Sequence, residues 1–222
     1  MIRAVLFDVY ETLVTHYRAP LYFSGEIAAD LGLPTEAFRP RWRALEHARS
    51  VGELTLEETL TRILAENGRE DPEAVRRVAE KRRETARAAF ASMRPDVTGM
   101  LMSLRERSIR IGLVSNCFSE EAEIIRESPI FPLIDAAALS YEEGVAKPEP
   151  EIFTRCLARL GVAPEEALYV GDGGSGELQA AAKLGMTALQ AVWYFPDNGR
   201  DASAEESVFF QLASPEALLA RL

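Results

Sequence analysis

Ile2-Arg3-Ala4-Val5-Leu6-Phe7-Asp8 opens a chain of 222 residues, and the reading of this run decides the rest. It is short, rich in branched and aromatic side chains, and lacks polar alternation, the pattern of a strand covered on both faces. A carboxylate, Asp8, stands where that strand would leave the core. Outward from this run the texture changes twice. Over residues 15–92 apolar side chains recur at helical spacing. Ile27, Ala28 and Leu31 form one stripe, and Leu56, Leu60, Ile63 and Leu64 another, closed by Asn67-Gly68. Val75, Val78, Ala79, Ala86, Ala89 and Phe90 form a third that stops before Pro95. From residue 93 onward the periods alternate. Strands are predicted at 109–114, 136–139, 167–170, 187–192 and 208–212. Helices are predicted around 97–104, 120–126, 150–160 and 177–184, with a last one from Pro215 and a polar loop at 197–206. This alternation predicts an α/β fold, a doubly wound parallel sheet. It is built from residues 1–14 and 93–222, and residues 15–92 form an inserted all-helical domain.

Composition narrows the function classes. Hydrophobic residues make up 47% and charged residues 27%, as in a globular domain. The net charge is −10, from 35 acidic and 25 basic residues, which disfavours nucleic acid and anionic membrane surfaces as partners. No apolar run approaches the ~20 residues of a membrane span, and no signal-peptide pattern precedes the first strand. Cys117 and Cys156 have no metal-binding spacing and form no disulfide framework, which points to a reducing compartment. The expectation is a cytoplasmic protein acting on a small molecule; the oligomeric state is left open.

In doubly wound sheets ligands bind beyond the carboxyl ends of the strands. Asp8 ends the first predicted strand, with Tyr10 and Thr12 just behind it. Ser115-Asn116 ends the second, Lys147-Pro148 follows the third, and Gly171-Asp172 ends the fourth, leading through three glycines to Glu177. Each alone is ordinary turn or cap chemistry. Together they bring a nucleophile, a hydroxyl donor, a cation and further carboxylates to one rim. A carboxylate attacks phosphorus or an activated carbon when surrounding charge is neutralised, and Lys147 supplies such a charge. Ser115 and nearby backbone N–H groups suit phosphoryl oxygens. Asp8, Asp172 and Glu177 offer the hard oxygen ligands that magnesium prefers.

The chain resembles the haloacid dehalogenase superfamily, whose four motifs are matched in order along nearly its whole length. Phe7-Asp8-Val9-Tyr10-Glu11-Thr12-Leu13 is similar to the first, Leu113-Val114-Ser115-Asn116 to the second, and Val145-Ala146-Lys147-Pro148-Glu149-Pro150 to the third. Val170-Gly171-Asp172 through Glu177 is similar to the fourth. The resemblance implies Asp8 as nucleophile, Ser115 as phosphate donor, Lys147 as clamp and Asp172 as metal ligand, with the helical insert as a cap. Two departures divide the chemistry. The family's phosphatases carry an aspartate two residues after the nucleophile, where this chain has Tyr10, as the 2-haloacid dehalogenases do. Those dehalogenases need no metal and lack the acid that Asp172 provides. Magnesium-dependent hydrolysis of a small phosphate monoester is the leading expectation. A 2-haloacid dehalogenase, with Arg39, Arg41 or Arg43 drawing off halide, is the first alternative. A weakly active binding or regulatory protein is the second. His16 lies where it could replace the missing acid–base group or simply serve as a polar hinge. Trp42 and His47 are placed on one cap helix, and Trp193-Tyr194-Phe195 at the core edge.

Overall fold

A computed structural model describes residues 1–202 and 207–222. Strand β1 (Ala4–Phe7) is followed by α1 (Ser24–Asp30), α2 (Thr35–Ala44), α3 (Glu46–Ser50), α4 (Leu56–Glu66) and α5 (Pro72–Ala91). Then come α6 (Pro95–Glu106), β2 (Arg110–Ser115), α7 (Ser119–Glu127), β3 (Ala136–Leu139), α8 (Ser140–Glu143) and α9 (Pro150–Leu160). Strand β4 (Ala167–Gly171), α10 (Glu177–Lys183), β5 (Thr187–Ala191), β6 (Phe210–Leu212) and α11 (Pro215–Leu219) complete the described chain. The six strands form one sheet in the order β3-β2-β1-β4-β5-β6, and all neighbours are parallel. Strand order therefore reverses at β1, which lies between β2 and β4. The expected α/β architecture is present.

Alternation of side chains along each strand feeds two cores. Val5, Phe7, Ile111, Leu113 and Val170 pack with α6, α7 and α11 on one face. Ala4, Leu6, Val114, Ala138 and Tyr169 pack with α9 and α10 on the other. The approach of α9 is close: a Cβ at Gly112 would lie 2.8 Å from the Cys156 sulfur. The helices between β1 and β2 bury a third cluster, including Ile27, Phe38, Leu60, Ile63 and Val78. Two of them start on sequence signals that are local. Thr55 and Glu58 form a reciprocal capping box at α4, and Asp71 accepts from Ala74 N–H at the start of α5, with Pro72 in its first turn. The last turns of α5 belong elsewhere, since Ala86 and Phe90 join the core of the sheet.

Three sequence expectations shift. Trp42 and His47 do not share a helix, because the backbone breaks at Leu45 between α2 and α3. Strand β6 begins at Phe210, two residues late, where Val208 is 91% exposed and has no sheet neighbour to cover it. The single turn α8, unforeseen in the sequence, separates β3 from Lys147. Part of the expected polar loop, residues 203–206, lies outside the described residues. No helix among the described residues is long and apolar enough to cross a membrane.

Candidate active site

Register brings the strand-end side chains together. Phe7 pairs with Leu113 on one side and Val170 on the other, so Asp8, Ser115 and Asp172 end three adjacent strands within one residue of the same level. Asp8 N–H donates to the Val170 carbonyl at 2.9 Å, continuing the ladder one residue past β1. Its Oδ1 accepts from Val9 N–H at 2.8 Å and lies 2.7 Å from Lys147 Nζ. The same Nζ is 2.5 Å from Glu177 Oε2, which also accepts from the Tyr169 hydroxyl at 2.8 Å. One buried ammonium thus links two buried carboxylates.

The loop after β4 is shaped around Glu177. Its Oε1 accepts from Gly173 N–H at 3.1 Å. A Cβ on Gly171 would stand 2.0 Å from that oxygen, so only glycine fits where the carboxylate crosses the strand end. Asp172 accepts from Gly174 N–H at 3.0 Å and from Arg200 Nη1 at 2.6 Å. Oxygens of Asp8, Asp172 and Glu177 lie within 4.8 Å of one another. The donor set suits a hard divalent cation, and both Glu177 oxygens are already engaged, by Lys147, Tyr169 and Gly173, as those of Asp172 are by Gly174 and Arg200.

Charge and burial tune these groups. Burial pushes the Asp8 carboxyl up to about 7, Lys147 opposes the rise, and Glu177 adds to it. Burial also works against the charge of Lys147, but the two flanking carboxylates overcome it and hold its pKa above the usual lysine value. Lys147 is thereby kept as a cation, beside an Asp8 carboxylate more basic than usual.

The other expected residues divide. Ser115 is fully buried at the end of β2. Asn116 uses its amide on the lysine backbone, accepting from Lys147 N–H at 2.7 Å and donating to the Lys147 carbonyl at 3.0 Å. Its contact is with the chain that carries the ammonium. Thr12 and Tyr10 hold buried hydroxyls with no hydrogen-bond partner among the described residues. Burial first, and then Glu121, raise the Tyr10 phenol well above its ordinary value. The Tyr10 ring stacks on His16 at 4.3 Å with the planes 9° apart. Trp193 and Tyr194 brace this loop from behind, donating to the carbonyls of Thr12 (2.8 Å) and Leu13 (3.2 Å). Of the three arginines considered for halide, Arg41 pairs with Glu66 on the exposed surface and Arg39 donates to Ser24, while Arg43 lines a cavity with His16. Cys117 is buried and its thiol is pushed up, the reverse of a reactive cysteine.

His16 is half-buried, and burial, followed by Arg82, lowers it to about 4. It is therefore a neutral imidazole near pH 7. The unfolded chain binds its proton near 6.5, so stability should fall as pH drops from about 6.5 toward 4, where the folded form still refuses it. Denaturant unfolding at pH 7 and pH 5 should show wild type losing more stability than His16→Gln. The excess is at most about 2 kcal/mol, less for the exposed part of the ring. An equal loss in both proteins would place the titration elsewhere.

Residues without a local motif complete the site. Tyr169 points into it from β4, Arg200 reaches back from the loop beyond β5, and Arg82 arrives from α5. Arg82 pairs with Glu120 at 3.3 Å and Glu121 at 2.7 Å, and all three are buried. Nothing in their sequence neighbourhoods marks them.

A family model of haloacid dehalogenase-like hydrolases matches residues 2–185. The chain belongs to the haloacid dehalogenase-like hydrolases. A glyceraldehyde 3-phosphate phosphatase of Methanopyrus kandleri is 33% identical over 209 residues, 86% of this chain and 84% of that relative. Two solved structures share the fold of this haloacid dehalogenase-like chain. A family enzyme of Bacteroides thetaiotaomicron, in complex with magnesium and inorganic phosphate, has a TM-score of 0.65 at 19% identity, covering 86% of this chain and 94% of its own. A 2-haloacid dehalogenase of Pseudomonas syringae pv. tomato has a TM-score of 0.65 at 22% identity and covers 100% of both.

Proposed function

We propose that the protein is a magnesium-dependent phosphohydrolase acting on a small phosphate monoester through a covalent intermediate on Asp8. The observation that carries this reading is the cluster of Asp8, Asp172 and Glu177 around Lys147, an acidic site that halide displacement has no use for. Asp8 Oδ1 is held by Lys147 and Val9, which leaves Oδ2 to attack phosphorus. The P–O bond to the alcohol breaks as the Asp8–phosphorus bond forms, and water then attacks the phosphoaspartate to release inorganic phosphate and restore the carboxylate. Lys147 offsets charge on Asp8 and on the transferring group, and Ser115 supplies a hydroxyl to a phosphoryl oxygen. Asn116 keeps Lys147 in register by gripping its backbone. Magnesium, held by Asp8 and Asp172, would neutralise phosphoryl oxygens. The helices of residues 15–92 act as a cap over the strand ends, joined to the core through the Arg82–Glu120–Glu121 cluster. The Methanopyrus kandleri relative, named as a phosphatase, supports this chemistry.

Tyr10 favours a second reading, the dehalogenase, in which halide leaves without a proton. Hydrolysis of an aryl phosphate with and without magnesium, beside halide release from 2-chloropropionate, separates the two. Magnesium-stimulated phosphate release is the expected result; halide release independent of metal would replace it. Calorimetric titration should further show Asp172→Ala binding magnesium at least about tenfold more weakly than wild type, the loss usual even for a group that only supports a metal ligand. Equal affinity in both proteins would move the cation away from the strand ends.

A further inference from the structure

A cavity of about 340 Å³ lies where the inserted helices face the segments leaving β1 and β2. From the helices it takes Trp42, Arg43 and Arg49, and from the core segments His16, Phe118 and Glu121. His16 is the ring stacked on Tyr10, two residues from Asp8, and Phe118 follows Ser115 by three. The cavity thus borders the segments that lead away from Asp8 and Ser115.

Arg49 is the anomaly in that wall. It is 1% exposed, and its guanidinium lies 3.6 Å from the Trp42 ring centroid and 4.2 Å from that of Phe118. The two aromatic faces lie against the cation but accept none of its N–H bonds, which point outward in the guanidinium plane. Among the described residues Nε and Nη1 have no acceptor, and Nη2 makes only a long bond of 3.4 Å to the Trp42 carbonyl. Arg82, almost as buried, is fully spent on Glu120, Glu121 and the Tyr22 carbonyl. Glu120 and Glu121 are committed in turn, to Arg82, Ser119 and Phe118 N–H. Burial pulls the Arg49 pKa down to about 10 despite those carboxylates, as expected of a buried cation short of its counter-ion. A buried guanidinium with unmet donors is costly unless something completes it.

We propose that Arg49 is the receptor for a carboxylate at the far end of the phosphate monoester, so that the preferred substrates are small phosphorylated carboxylic acids. The inference rests on the phosphohydrolase reading and adds substrate class to it. A planar carboxylate matches the edge of a planar guanidinium packed against two rings, and a compact acid suits a cavity of this size.

The test uses matched pairs in which a hydroxymethyl group replaces the carboxylate: phosphoglycolate against 2-hydroxyethyl phosphate, and 3-phosphoglycerate against glycerol 3-phosphate. Wild type should favour the acid of at least one pair by about 10- to 100-fold in kcat/KM, the scale of a hydrogen-bonded charge. Arg49→Met should bring that ratio close to one, and Arg49→Lys should restore part of it. Because the ratio is taken within one preparation, partial loss of folded protein does not alter it. If Arg49 only braces the helices, both members of a pair fall together and the preference survives, which overturns the proposal. If wild type hydrolyses none of the four, the aryl phosphate assay judges the phosphohydrolase reading and binding decides this one. Calorimetry on Asp8→Asn should then show phosphoglycolate binding more tightly than 2-hydroxyethyl phosphate, with the difference lost when Arg49→Met is added. Equal binding of the two ligands to Asp8→Asn would overturn the assignment whatever the turnover.

Discussion

Asp8→Asn should reduce aryl phosphate turnover by on the order of 10⁴-fold or more, since it removes the attacking oxygen and leaves only positioning and electrostatic stabilisation. The fold should survive, and in chelator the variant should melt at a higher temperature than wild type. Burial and the nearby Glu177 already disfavour a charge at this position, as the rise of the carboxyl to about 7 reports. A neutral amide of the same shape relieves that burden, while Lys147 keeps Glu177 as its partner. Lower stability together with lost activity would point to damage rather than chemistry. Appreciable turnover by a well-folded Asp8→Asn would remove the covalent mechanism altogether.

Tyr10→Asp should act in the opposite direction, raising hydrolysis of alkyl phosphates by up to the ~10²–10⁴-fold that general acid–base catalysis supplies. An aryl phosphate departs without a proton and should gain far less. The surroundings favour the new group. Burial and then Glu121 raise the phenol of Tyr10 although Arg82 opposes them, and the same surroundings would raise the pKa of an aspartate there, which favours a proton donor. Against this, the substitution removes the ring stacked on His16 and leaves a void beside it, so loosened packing limits the gain. Kinetics on alkyl and aryl esters of matched structure separate these effects. If neither substrate responds while wild type is stimulated by magnesium, another group already handles the proton; His16→Gln would be the next variant to assay. A dehalogenase would instead lose activity on the same substitution.

The sheet was legible because its signals are local. The run from Ile2 to Phe7, the alternation after residue 93 and the helical stripes between 15 and 92 each report burial period directly, and strand ends locate a binding rim by topology alone. Asp8, Lys147, Asp172 and Glu177 could be named for a related reason: each alone is turn or cap chemistry, but together they bring to one rim more charge than turns require. Parallel register then sets Asp8 and Asp172 within one residue of the same level, and Lys147 and Glu177 reach Asp8 from the segments that follow β3 and β4. Local patterning did not reach every boundary, as the break at Leu45 shows, where α2 gives way to α3 within one apparently continuous helix.

What the tertiary structure alone decided is how each charge is used. Glu177 and Asp172 look alike in sequence, yet one is bound up with Lys147, Tyr169 and a glycine N–H while the other faces Arg200. Asn116 looks in sequence like a substrate contact, and only the structure shows its amide gripping the lysine backbone. Arg49 and Arg82 are two arginines among many, distinguished only by which carboxylates lie within reach once the helices meet the core. The division has a physical cause. Burial period and turn preference are properties of neighbours along the chain, whereas hydrogen-bond partnership and pKa depend on groups brought close from distant segments, such as residues 49 and 118 or 8 and 147.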